Sequence, residues 1–257
     1  MADGYRVVAV PGLPEIVPGD PLPALIADAV AGSVAAAGQP LGDDDVLVVT
    51  QKVVSKAEGA IVDLTAVAPR PEAVEFAERW DRDPRQVEVV LQQARRIVRM
   101  ANGVIITETP QGFVCANGGI DASNVGPASG SVVTLLPADP DASAAAIRAA
   151  VRERTGVDVP VIVSDSFGRP WRFGIVDVAI GVSGLMPLDD LRGQPDADGR
   201  IMKSTVRAVA DELASAAELA LGKAAGQPIA LVRGAAFTRG EGRIADTLIP
   251  ADWDLFR

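Results

Sequence analysis

Four short stretches of this 257-residue chain set polar and charged side chains just after apolar runs, where a rigid backbone can hold chemistry in place. In residues 115–125 (CANGGIDASNV), Gly118 and Gly119 precede Asp121 and Asn124. Two glycines allow backbone conformations and close approaches that a Cβ would block. Asp121 supplies a hard anionic oxygen, and Asn124 supplies donors and an acceptor. A tight turn held by Asx hydrogen bonds is the competing explanation. In residues 163–172 (VSDSFGRPWR) an apolar strand delivers Asp165 and Ser166 at its carboxyl end, where ligands gather in α/β sheets. Carboxylate plus hydroxyl suits Mg²⁺, and Arg169 and Arg172 could hold phosphate oxygens. The same residues could instead be a turn-capping Asp and a surface ion pair. Residues 46–59 (VLVVTQKVVSKAEG) place Thr50, Lys52 and Lys56 after a buried strand, which in an acidic chain suggests an anion site. Lysines on solvent are the ordinary alternative. Residues 12–20 (GLPEIVPGD) could turn backbone amides toward a ligand, but the pattern is unspecific.

Composition narrows the menu. There are 34 Asp+Glu against 24 Lys+Arg, a net charge of −10, with no histidine and one cysteine. A Ser-His-Asp triad, a Cys-His dyad and every His-ligated zinc site are excluded, and one thiol cannot build a four-cysteine site. Acid–base work falls to Asp, Glu, Lys, Tyr or water. Any metal must sit on oxygen ligands, which favours Mg²⁺, Mn²⁺ or Ca²⁺. The acidic balance argues against a nucleic-acid or anionic-membrane partner. A lone cysteine fits a reducing cytoplasm, the N-terminus lacks a secretory signal, and no apolar run approaches the roughly 18 residues of a membrane span. No Walker A or Rossmann glycine pattern occurs; residues 199–205 (GRIMKST) come nearest to the former and lack its glycine and spacing.

The elements that must position these groups can be read from periodicity and punctuation. Strands are expected over residues 5–10, 46–50, 104–107, 113–116, 132–136, 160–164, 176–182 and 228–232. Helices are expected over 25–37, 72–80, 85–100, 142–154 and 203–223, the fourth capped by Asp141 or Ser143. The second and third are split at Pro84, and residues 104–116 form a hairpin. Residues 168–174 read as an irregular loop and 185–198 as an exposed one. The mixture lacks a βαβ rhythm, so the fold class is α+β, with mixed sheets, packed helices and two intertwined lobes. Residues 1–257 read as one domain, with a lobe boundary or flap near 185–200. Trp80 and Trp171 are expected in a core or interface, and Cys115 as a buried, inert thiol.

The order GLPE, VTQKVVSKAEG, ANGGIDASNVG, SDSFGRPWRFG, VADELASAAELALGK, PIALVRG resembles the coenzyme F420-0:L-glutamate ligase (F420 gamma-glutamyl ligase) family, from Gly12 to about Gly234. Each block is moderately specific; their joint order is highly so. The resemblance implies a GTP-dependent ligase that adds L-glutamate to F420-0, releasing GDP and phosphate, and in some members extends a γ-linked tail. It implies two divalent metal sites (Mg²⁺ or Mn²⁺), help from K⁺, and an intertwined homodimer. Carried over, Asp121 and Asp165 resemble ligands of the first metal. Ser166, where the family usually has Thr, resembles a ligand of the second. Leu13, Pro14, Glu15, Ile16, Gln51, Lys56 and Asn124 resemble nucleotide contacts, with Gln51 the least constant in type, and Lys56 joins the two aspartates as a catalytic residue. The chain departs from the family at Gly19-Asp20-Pro21, where GDD is common, and it ends without the nitroreductase-like domain of many relatives. A phosphohydrolase using the same aspartates, or a GTP-binding module without turnover, are the competing expectations.

Overall fold

The computed structural model describes residues 4–122, 130–223 and 225–255. In chain order the elements are β1 (Arg6–Ala9), α1 (Leu22–Ala37), β2 (Asp45–Thr50), α2 (Gln51–Ala57), β3 (Ile61–Asp63), α3 (Pro71–Trp80), α4 (Pro84–Gln93), β4 (Arg96–Ala101), β5 (Val104–Glu108), β6 (Val114–Ala116), β7 (Val132–Thr134), α5 (Pro140–Thr155), β8 (Val161–Arg169), β9 (Arg172–Ser183), β10 (Asp189–Asp190), β11 (Val206–Arg207), α6 (Val209–Leu221) and β12 (Ile229–Arg233). The fold is α+β.

Its centre is a five-stranded sheet in the order β1-β12-β2-β8-β9. Only β2 and β8 run parallel; the other neighbours are antiparallel. Val46 through Val49 and Val161 through Val163 are wholly buried without alternation, as strands covered on both faces must be. α1 packs on α5, and α5 and α6 both pack on β9. The α5 crossing is close: a Cβ on Gly181 of β9 would lie 2.4 Å from the Pro140 carbonyl, so this position requires glycine. α5 starts at Asp139, whose carboxylate accepts from the Ala142 amide at 3.0 Å, and ends on left-handed Gly156.

Between α2 and α5 the chain makes a second, smaller layer. β4, β5 and β6 form an antiparallel sheet, and Ile105 packs with Ala73, Ala77, Val87 and Val90 of α3 and α4. Leu64, Val89 and Val133 form a further small cluster beside the β3–β7 pair. Buried Glu88 ties this layer to the loop before α3, accepting from the Arg70 amide at 2.9 Å and from its guanidinium at 2.8 Å. Hydrogen bonding from Arg70 holds its carboxyl down at about 2.

Several expected boundaries move. The third expected helix, over 85–100, stops at Gln93, and residues 96–101 are strand β4, because Asn102 and Gly103 (φ 52° and 73°) make the two-residue turn of a β4–β5 hairpin. The irregular loop expected over 168–174 is the end of a long β8–β9 hairpin with Trp171 at φ 57°. The helix expected over 203–223 begins only at Val209, since Val206 and Arg207 pair with β10. Asp139, not Asp141 or Ser143, caps α5; Asp141 instead accepts from the Val182 amide of β9 at 2.8 Å. Trp171 is 83% exposed, so it is not a core residue. In the stretch expected as an exposed loop, Leu185 is fully buried, while residues 192–200 are exposed.

Candidate active site

Parallel pairing brings the carboxyl ends of β2 and β8 side by side, with Thr50 opposite Ser164. The segments leaving these two strands meet in a cavity of about 370 Å³. From β2 the chain turns directly into α2, which presents Gln51, Lys52 and Lys56; from β8 come Ser164, Asp165 and Ser166. The loop over residues 13–16 forms another wall, and the end of α6 with residues 226–228 a third.

Asp121 reaches the cavity from the smaller layer. Asn117, Gly118 and Gly119 are consecutive left-handed residues, and a Cβ on Gly119 would come within 2.8 Å of Leu136. The Asn117 carboxamide oxygen accepts from the Ile105 amide at 3.3 Å, and Asp121 is then pinned by paired backbone hydrogen bonds with Thr134 at 3.1 and 2.8 Å. Its carboxylate meets Lys52 Nζ at 2.7 Å.

Asp165 lines the cavity and is half-buried. Burial first, and then the neighbouring carboxylates of Asp177 and Asp121, push its carboxyl up to about 7, against the opposing pull of the Ser166 amide and Lys52. Ser164 and Ser166, two apart on β8, share one face and both donate to Asp177 of β9, at 3.2 and 2.7 Å. Asp177 is 3% exposed. Lys223, just past α6, donates to Asp177 Oδ1 at 2.8 Å and also to Ser166 Oγ, and pairs with Glu218 at 2.8 Å. Burial alone would lower the Lys223 pKa, but these carboxylates outweigh it and the net shift is upward.

Lys56 is buried and bonds Glu15 of the 13–16 loop at 2.6 Å. Leu13, Pro14, Glu15, Ile16, Gln51, Lys56, Asp121, Asp165 and Ser166 all line this one cavity. Asn124 lies outside the described residues. Gln51 is 2% exposed, and its amide nitrogen bonds Ser55 Oγ at 2.5 Å and the Leu135 carbonyl at 2.8 Å, so it braces α2 against the smaller layer. Arg169 and Arg172 do not line the cavity; Arg169 donates to the Phe173 carbonyl at 2.8 Å, across the hairpin tip. Cys115 is buried, and burial pushes its thiol up to about 12, leaving it inert at neutral pH.

Sequence reasoning missed Asp177, Glu218 and Lys223, and mentioned Lys52 only as one cation after β2. A signal for Asp177 was present: one acid inside the apolar strand GIVDVAIGV must be buried and therefore paired.

The family model described as F420-0:Gamma-glutamyl ligase matches residues 12–234. The chain belongs to this ligase family. Among its relatives are several that carry the name Coenzyme F420:L-glutamate ligase. That of Methanothermobacter thermautotrophicus is 42% identical, covering 99% of both chains. That of Methanocaldococcus jannaschii is 43% identical over 85% of this chain and 86% of its own. That of Methanopyrus kandleri is 47% identical over 89% and 86%. The ligase-family match spans every cavity-lining residue, from Leu13 to Pro228.

A ligase that neutralises phosphates can use a divalent cation, and the donor set bears on whether one fits. Among the described residues no three His, Cys, Asp or Glu side chains converge as a preformed cluster. Asp121 and Asp165 nonetheless offer hard oxygens, and among the described residues no ion pair reaches Asp165. Two carboxylates completed by water and substrate phosphate are a usual Mg²⁺ arrangement, so these residues suit one such ion. Ser166 is different: its hydroxyl already donates to Asp177 and accepts from Lys223. The Lys223 ammonium already occupies the position beside this hydroxyl.

Proposed function

We propose that this protein joins L-glutamate to coenzyme F420-0 in coenzyme F420 biosynthesis, with GTP as the phosphoryl donor. One observation carries the reading: Asp121 and Asp165 share a cavity with Lys52 and Lys56 in a chain of the F420-0:gamma-glutamyl ligase family. The relatives' names supply the glutamate and the coenzyme. GTP and K⁺ enter through the resemblance of the motifs.

In the proposed reaction an oxygen of the acceptor carboxylate attacks the γ-phosphorus, and the bond to the β,γ-bridging oxygen breaks, releasing GDP. The glutamate amine attacks the carbonyl carbon of the resulting acyl phosphate, and phosphate leaves with the C–O electron pair. The proton shed by the amine passes to that phosphate or to a site carboxylate. Such transfers are catalysed mainly by positioning and charge neutralisation. A divalent cation held by Asp121 and Asp165 would supply much of that neutralisation. Lys56 would hold a phosphate oxygen while its bond to Glu15 closes the 13–16 loop over the nucleotide. Gln51 would keep α2, and so both lysines, in register with Asp121.

Incubation with GTP, Mn²⁺, L-glutamate and F420-0, followed by mass spectrometry, should show the acceptor gaining glutamate residues as GDP appears. GDP release that does not need glutamate would instead mark a phosphohydrolase. Nucleotide binding without any product would mark a regulatory module.

The homodimer belongs to the same proposal. At the β8–β9 tip Trp171, Phe173 and Ile175 are 83%, 104% and 53% exposed, an apolar patch that an isolated chain would leave in water. Sedimentation equilibrium should give twice the chain mass, and Trp171→Glu with Phe173→Glu should shift it toward the monomer. A monomeric wild type would overturn the dimer.

A further inference from the structure

Where the family resemblance calls for a second metal, this chain carries an ammonium. Lys223 Nζ sits among three oxygens contributed by three elements: Ser166 Oγ of β8, Asp177 Oδ1 of β9 at 2.8 Å, and Glu218 Oε1 of α6 at 2.8 Å. The Ser166 hydroxyl is committed in both directions, donating to Asp177 at 2.7 Å while accepting from Lys223. A dication bound to Ser166 would lie within a few ångströms of the lysine charge, too close for solvent to screen the two. Asp177 is buried, and Lys223 already supplies the cation that such a carboxylate needs.

The contrast with Lys52 is instructive. Lys52 pairs with Oδ2 of Asp121 at 2.7 Å, and its pull on Asp165 is outweighed by burial and by the Asp177 and Asp121 carboxylates. Around Ser166 a single ammonium already bridges two carboxylates and the hydroxyl.

We propose that Lys223 takes the place of the second divalent cation, so that each chain binds a single metal, at Asp121 and Asp165, with the Lys223 ammonium as the second positive centre. The proposal rests on the ligase reading for what the site is, but it concerns this chain's own residues. It implies that Lys223 faces the phosphate region as a fixed charge whose presence does not depend on metal concentration.

The test counts metal rather than turnover. Protein with one equivalent of GDP is titrated with Mn²⁺, and free Mn²⁺ is followed by electron paramagnetic resonance. Wild type should bind one Mn²⁺ per chain, and Asp165→Asn should lose it. Lys223→Gln, which removes the charge and adds an oxygen donor, should bind two, while Lys223→Arg should stay at one. Two Mn²⁺ on the wild type, or one on a Lys223→Gln protein whose circular dichroism matches wild type, overturns the proposal alone. No Mn²⁺ on the wild type overturns it together with the metal site beneath it. A merely structural Lys223–Asp177 pair would let Lys223→Gln alter the melting temperature without altering the count.

Discussion

Asp165→Asn is expected to lower glutamate ligation at least about a thousandfold while the protein stays folded, because several kcal/mol of charge stabilisation leave with the carboxylate. GDP release dependent on F420-0 and glutamate reads the loss. A second readout has the opposite direction. The Asp165 carboxyl is pushed by burial from its usual 3.8 to about 7. A group whose folded pKa is raised contributes stability that is complete below its unfolded pKa and is lost as pH rises through the folded one. In metal-free protein the wild type should therefore lose stability between about pH 4 and pH 7 through this residue. The asparagine variant should not, and it should melt above wild type at pH 8. Full activity in the variant, or a variant that melts well below wild type at pH 8, would sink the role given to Asp165.

Lys56→Met should raise KM for GTP roughly ten- to hundredfold, the equivalent of one lost hydrogen bond to a charged group. The expected change in melting temperature is small. Methionine can fill the buried stem, and the Glu15 side chain left behind is 68% exposed, so no charge is stranded in the interior. The effect should weaken at high salt less than a surface lysine's would, because Lys56 is 7% exposed. An unchanged KM in steady-state kinetics would show that the Lys56–Glu15 bond serves only to tether the loop.

The residues that line the cavity were largely legible because they sit in contiguous motifs placed after buried strands. VLVVT and PVIVS announce their strands, and Gln51, Lys56, Asp165 and Ser166 come immediately after. The opposite wall was harder to read. Asp177, Glu218 and Lys223 are distant in sequence from Ser166, and only the antiparallel register of β8 and β9 sets Ser166 against Asp177. The long hairpin itself was hidden by FGRPWRFG, whose glycines, proline and arginines read as a loop although an edge hairpin tolerates them. The β4–β5 hairpin was misread for a different reason. Helical spacing continued past Gln93, but the Asn102-Gly103 dipeptide after β-branched Ile97 and Val98 was the stronger signal and was overlooked. At α6, alanine content suggested an extra turn and a half that pairing of Val206 and Arg207 with β10 forbids.

The single parallel pairing at the sheet's centre has a consequence for how the molecule assembles. Thr50 and Ser164 are neighbours in the fold, yet 113 residues of chain lie between them. All of the smaller layer, including Asp121, lies within that loop. Closing it costs chain entropy before any contact across β2 and β8 repays it, which makes such pairings slow to form. The catalytic cavity therefore has no local precursor: its walls exist only once both strands and the chain looping between them have been brought together.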